Sequence, residues 1–128
     1  MTSQKTLSVT LSRSARTALA ARGEQVLRVQ LELLFSCMIR KRVEILDTPH
    51  PDALPMRLAA DCDGASMGLE VFFRAVGTRS CAVADQPVPD LETFPLERVT
   101  PFLPRWLNLD YRGGRWLGEF GYTREPLQ

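Results

Sequence analysis

The Gly113-Gly114 pair near the C-terminus constrains the fold more than any other feature of the sequence. Two glycines between alternating runs specify a two-residue hairpin turn, because glycine reaches positive φ without steric cost. The turn fixes the pairing: Arg112 opposite Arg115, Tyr111 opposite Trp116, Leu109 opposite Gly118 and Leu107 opposite Phe120. One face then carries Leu107, Leu109, Tyr111, Trp116, Phe120 and Tyr122. The other carries Asn108, Asp110, Arg112, Arg115, Glu119 and Thr123, with Leu117 as the exception. A slip of one residue would bury the polar set, so register and burial select the same arrangement.

A second alternation runs through Leu27, Val29, Leu31, Leu33 and Phe35, with Arg28, Gln30 and Glu32 between them. Period two marks a strand with one buried face. The parity continues through Cys37, Ile39, Val43 and Ile45, with Arg40, Arg42 and Glu44 facing the other way. A single strand of that length is unusual, which predicts a hairpin or sharp bend between Ser36 and Arg40.

Upstream, residues 6–11 alternate as a half-buried strand, and Ser12 stands where a helix N-cap belongs. Ala15, Ala18, Leu19 and Arg22 follow at helical spacing, and Gly23 supplies the stop. Residues 47–55 hold three prolines and read as a loop. Asp63-Gly64 predicts a hairpin turn between a strand at 56–60 and a return strand at 69–76; residues 81–84 predict another strand. Residues 86–104 combine five prolines with Leu91, Phe94, Leu96, Val99, Phe102 and Leu103, a pattern of an ordered, irregular crossing segment. The expected fold is α+β: one β-rich domain over residues 1–128, with a short helix after strand 1 and a C-terminal β-hairpin.

A chain of 128 residues with 45% hydrophobic residues can bury a core without staples. A net charge of +1 gives no footprint for duplex nucleic acid or an anionic membrane. The N-terminal residues do not read as a secretory signal, and residues 26–46 are too interrupted by charge to span a bilayer. The expected compartment is the cytoplasm, with Cys37, Cys62 and Cys81 as free thiols.

Thiolates are soft ligands, so Cys37, Cys62 and Cys81 are the candidates for iron, zinc or a cluster; as buried thiols they are small hydrophobes. His50, the only histidine, lies between two prolines and fits a solvated loop better than a Cys–His pair. Asp61 to Ser66 lacks the oxygens and closing Glu of a calcium loop. Arg40-Lys41-Arg42 is a solvated patch or a docking site for an acidic partner. Phosphate-cradling loops, GxSxG, HExxH and CxxC are all absent, so no enzymatic activity is expected.

Two stretches carry a family resemblance. LSVTLSRSARTALAARG, then LRV and VEILD, across Leu7 to Asp47, is similar to the opening strand, helix and hairpin of the A-type iron–sulfur carrier (HesB-like) family. LDYRGG and GEFGYTREP, across Leu109 to Pro126, resemble that family's closing strands. The resemblance implies a HesB-like fold and places Cys37 near the family's first cluster cysteine. The family's Gly-Gly-Cys-Ser-Gly turn is replaced here by Phe35-Ser36-Cys37-Met38-Ile39, and no counterpart of its Cys-Gly-Cys follows the last hairpin. The implied role is a non-catalytic accessory protein assisting iron–sulfur or other cofactor assembly through protein–protein contacts, with an iron–sulfur cluster or iron as the cofactor in question. The alternative is a structural subunit or assembly factor of a larger complex, without metal. The expected partner is a protein or a second copy of this chain, neither a membrane nor a nucleic acid. Aromatic and arginine side chains dominate binding hot spots, so the expected partner-binding residues are Trp106, Tyr111, Arg115, Trp116, Phe94 and Phe102.

Overall fold

Two sheets share one apolar interior. The computed structural model describes residues 6–35, 39–78, 91–93 and 102–122. The first sheet is ordered β5-β1-β8-β9, from Arg57–Leu58, Thr6–Leu11, Trp106–Arg112 and Arg115–Gly121. In the second, β3 (Ile39–Ile45), β2 (Leu27–Phe35) and β6 (Leu69–Thr78) lie side by side. The far edge of β6 is shared by two short strands, β4 (Leu54–Pro55) and β7 (Leu91–Thr93). The only described α-helix, α1 (Arg13–Ala20), follows β1, so the chain is a strand-rich α+β domain as its alternations require.

The C-terminal hairpin has the register its glycines dictate. Tyr111 pairs with Trp116, Leu109 with Gly118 and Leu107 with Phe120. Gly113 and Gly114 have φ of 56° and 77°, a turn that side-chain-bearing residues rarely adopt. Leu107, Leu109 and Phe120 are buried against Leu7, Val9 and Leu11 of β1, which runs parallel to β8. Burial of each such side chain contributes on the order of 1.5–3 kcal/mol.

The hairpin expected near Ser36 is present: β2 and β3 are antiparallel, with Phe35 opposite Ile39 and Val29 opposite Ile45. Leu27, Val29, Leu31 and Leu33 face the interior. The opposite face of β2 is not open to solvent, as simple alternation implies. Gln30 and Glu32 are each only 2% exposed. Glu32 Oε1 accepts from Arg42 Nε at 2.8 Å and also from Arg42 Nη2, while Glu32 Oε2 accepts from Gln30 Nε2 at 2.6 Å. Arg74 Nη1 lies 3.9 Å from the same carboxylate, and the His50 amide donates to Gln30 Oε1 at 2.9 Å. A buried charge persists only when paired and hydrogen-bonded, and this one is both.

The two sheets meet where β3 approaches β9. A Cβ on Gly118 would lie 2.7 Å from Val43 Cγ1, so glycine is what allows the approach. Beside it, Lys41 Nζ donates to the Phe120 carbonyl at 2.8 Å and sits 5.7 Å from the Phe120 ring centroid.

Asp63-Gly64 does not form a hairpin turn. Residues Asp63–Ser66 form one 3-10 turn, and β5 pairs parallel with β1 rather than antiparallel with β6. The reason is the Asp63 carboxylate, whose Oδ2 accepts from the Leu11 amide at 3.0 Å and so draws the turn onto the end of β1.

Candidate binding groove between helix and hairpin

Helix α1 is placed by its cap. Ser12 Oγ accepts from the Ala15 amide at 3.1 Å, as an N-cap should. The same hydroxyl donates to Asp110 Oδ1 at 2.6 Å, and the Ser12 amide donates to the Leu109 carbonyl at 3.0 Å. Asp110 Oδ1 also accepts from the Tyr111 amide at 2.8 Å, and Arg112 Nε reaches Asp110 Oδ2 at 2.7 Å. These donors, led by the Ser12 hydroxyl, hold the Asp110 carboxyl below the ordinary carboxylate range. One aspartate therefore ties the helix start to β8, next to the residue that opens the aromatic face.

Ala15 and Leu19 turn inward to the core. The other stripe of α1, with Ser14, Thr17, Ala18 and Ala21, faces the hairpin across a groove of about 580 Å³. Three of these four side chains are no larger than serine, which leaves the space. The facing wall is Tyr111 and Trp116, cross-strand partners in edge-to-face contact at 4.9 Å between centroids. Such a pair is rigid and large, with its faces available for contact.

Arg13 and Arg22 stand at the two ends of the helical wall. Neither guanidinium meets a carboxylate among the described residues. Arg22 Nη2 donates to the Val26 carbonyl at 3.2 Å, while its Nε is buried without a hydrogen-bond partner. Among the described residues, no acidic side chain lines the groove. The volume lies in the range of about 300–1,000 Å³ typical of ligand sites.

The residues expected at a partner surface are divided by the fold. Tyr111 and Trp116 line the groove, and Arg115 is exposed next to Trp116 at the start of β9. Trp106 is 8% exposed; its indole lies over Gly121, whose Cβ would sit 2.4 Å from Trp106 Cζ2. Phe102 is half-buried and packs edge-on against Phe35 at 5.7 Å. Phe94 and most of the proline-rich segment 86–104 lie outside the described residues, as do Cys37 and Cys81. Cys62 is partly buried, with its thiol 4.0 Å from the Leu7 carbonyl. Among the described residues, no three His, Cys, Asp or Glu side chains gather in a metal-holding group. His50 closes a local turn, its Nδ1 accepting from the Asp52 amide at 3.0 Å.

The helical wall was not anticipated from the sequence. Ala18 and Arg22 read as part of the packed stripe, and they face the groove instead. The usable signal was the spacing of Arg13, Thr17, Ala21 and of Ser14, Ala18, Arg22, a second stripe without large apolar side chains.

A smaller hollow of about 370 Å³ lies on the outer face of the first sheet, lined by Thr10, Asn108, Leu117 and Glu119 among others. Its Asp110 is already engaged by Ser12 and Arg112.

No helix among the described residues is long and apolar enough to cross a membrane. No family model, curated protein or solved structure matches the chain.

Proposed function

We propose that this chain is a non-catalytic binding protein that engages a protein partner through the groove between α1 and the C-terminal hairpin. The supporting observation is the pairing of an aromatic wall, Tyr111 and Trp116, with a helical stripe ended by two arginines that meet no carboxylate among the described residues. Aromatic and arginine side chains around a shallow, small-residue floor are the composition of interface hot spots. Nothing in the groove supplies a nucleophile paired with a base, so binding accounts for its residues better than turnover does.

The resemblance to the A-type carriers attaches a narrower role to this reading, assistance in cofactor assembly, with Cys37 as the one thiol that falls near a family ligand position. Anaerobic reconstitution with iron and sulfide tests that role: a stoichiometric chromophore lost in Cys37→Ala supports it, and a colourless, metal-free, folded protein removes it.

The groove itself is tested by backbone amide shift mapping of the whole chain against a panel of short peptides. Perturbations concentrated on residues 13–22, 111 and 116 are expected; perturbations confined to other surfaces overturn the assignment.

A further inference from the structure

The groove's charge and length specify its occupant more narrowly than a protein partner in general. Resting on the binding function just proposed, we infer that the groove takes an extended acidic segment, with two carboxylates about four residues apart and an apolar side chain between them.

The spacing follows from the helical wall. Arg13 and Arg22 are nine positions apart, and Arg22 lies one residue past the Ala21 cap of α1, so at about 1.5 Å per residue their backbones are separated by about 13 Å along the helix axis. An extended chain rises about 3.3 Å per residue and covers that distance in about four residues. A carboxylate at each end would meet a guanidinium, in the charge-assisted geometry that is the strongest side-chain pairing available. The middle of the groove is different in kind: Ala18 and Ala21 on one wall and the Trp116 ring on the other form an apolar slot, suited to a leucine or phenylalanine side chain.

Charge also separates this groove from the other basic stretch. In β3, Arg42 is committed to Glu32 and Glu44, and Lys41 to the Phe120 carbonyl. Arg40, Arg105 and Arg115 also meet no carboxylate among the described residues, but Arg13 and Arg22 are the two arginines that line the groove.

The test is a fluorescence titration of the whole chain, reporting on Trp116, with three synthetic peptides of one length: Glu at two positions four apart with Leu between, the same peptide with Gln for both Glu, and the same with Lys. Trp106 is masked from the readout by repeating the series in Trp106→Phe. The Glu peptide is expected to bind, to weaken as salt is raised, and to lose affinity about tenfold or more in the double variant Arg13→Ala, Arg22→Ala, a change of about 1.4 kcal/mol or more. Circular dichroism and a melting curve confirm that the double variant is folded. Equal binding of the Glu and Gln peptides, lost in Trp116→Ala when read by calorimetry, overturns the acidic occupant while leaving the groove as the binding surface. Binding of none of the three overturns the inference, and the amide shift mapping above then decides the groove separately. Glu-peptide binding unchanged in the double arginine variant also overturns it.

Discussion

The outer face of β2 and the groove beside α1 both combine arginines with a neighbouring sheet, yet they handle charge in opposite ways. On β2, Glu32 is 2% exposed and is held by Arg42 and Gln30, with Arg74 close by, so every charge has its counterpart within the chain. In the groove, Arg13 and Arg22 flank an aromatic pair and meet no carboxylate among the described residues. The first arrangement consumes its electrostatics in holding the sheet together. The second keeps them outward. Proteins place charge beside open aromatic surface at a cost in self-repulsion and solvation, and recognition is the usual return.

The comparison makes graded demands on stability. Glu32→Ala should cost the most, about 3 kcal/mol in urea unfolding, because it removes the buried carboxylate that Arg42 and the buried Gln30 amide both donate to. A loss under about 0.5 kcal/mol, typical of surface changes, would make the network ornamental and erase the contrast. Trp116→Ala should cost less, roughly 1–2 kcal/mol, since the ring is only half-buried; full core burial would make the loss about 3–5 kcal/mol. Arg13→Ala should move stability by less than about 0.5 kcal/mol while weakening acidic-peptide binding. A large destabilisation there would show that the groove arginines, too, are structural. The smallest effect concerns pH. Asp110 has a folded pKa below its ordinary value of 3.8, so the stability it contributes is fully present above that value and is lost as pH falls through the folded one. Asp110→Asn should therefore flatten the acid limb of the stability profile. Tyr122 acts at the other end: burial pushes its hydroxyl up to about 12 from 10.0, so stability is intact below 10.0 and declines as pH rises towards 12.

Much of the first sheet was legible because its determinants are local. Gly113-Gly114 set the turn, alternation set the face, and Ser12 set the helix start; each appears in the structure as the sequence implied. The 3-10 turn at Asp63 was not legible, because it depends on the Leu11 amide, which lies 52 residues away along the chain. The buried state of Gln30 and Glu32 escaped for a similar reason. Alternation reports which residues share a face, not whether something covers it. The groove was half legible: its aromatic wall follows from the hairpin, whereas its helical wall depends on which stripe of α1 turns towards β8, and the Ser12–Asp110 contact across 98 residues decides that.

That contact has a consequence in time. Strand β1 lies parallel to β8, and about a hundred residues must be synthesised after β1 before the two can meet. Until the last hairpin emerges, Leu7, Val9 and Leu11 have no first-sheet partner except the two-residue β5. Folding of the first sheet is therefore a late, long-range event rather than one that proceeds from the N-terminus onwards, and such topologies close slowly. A ribosome stalled before Trp106 would hold a chain with an unfinished first sheet, its β1 paired only with β5.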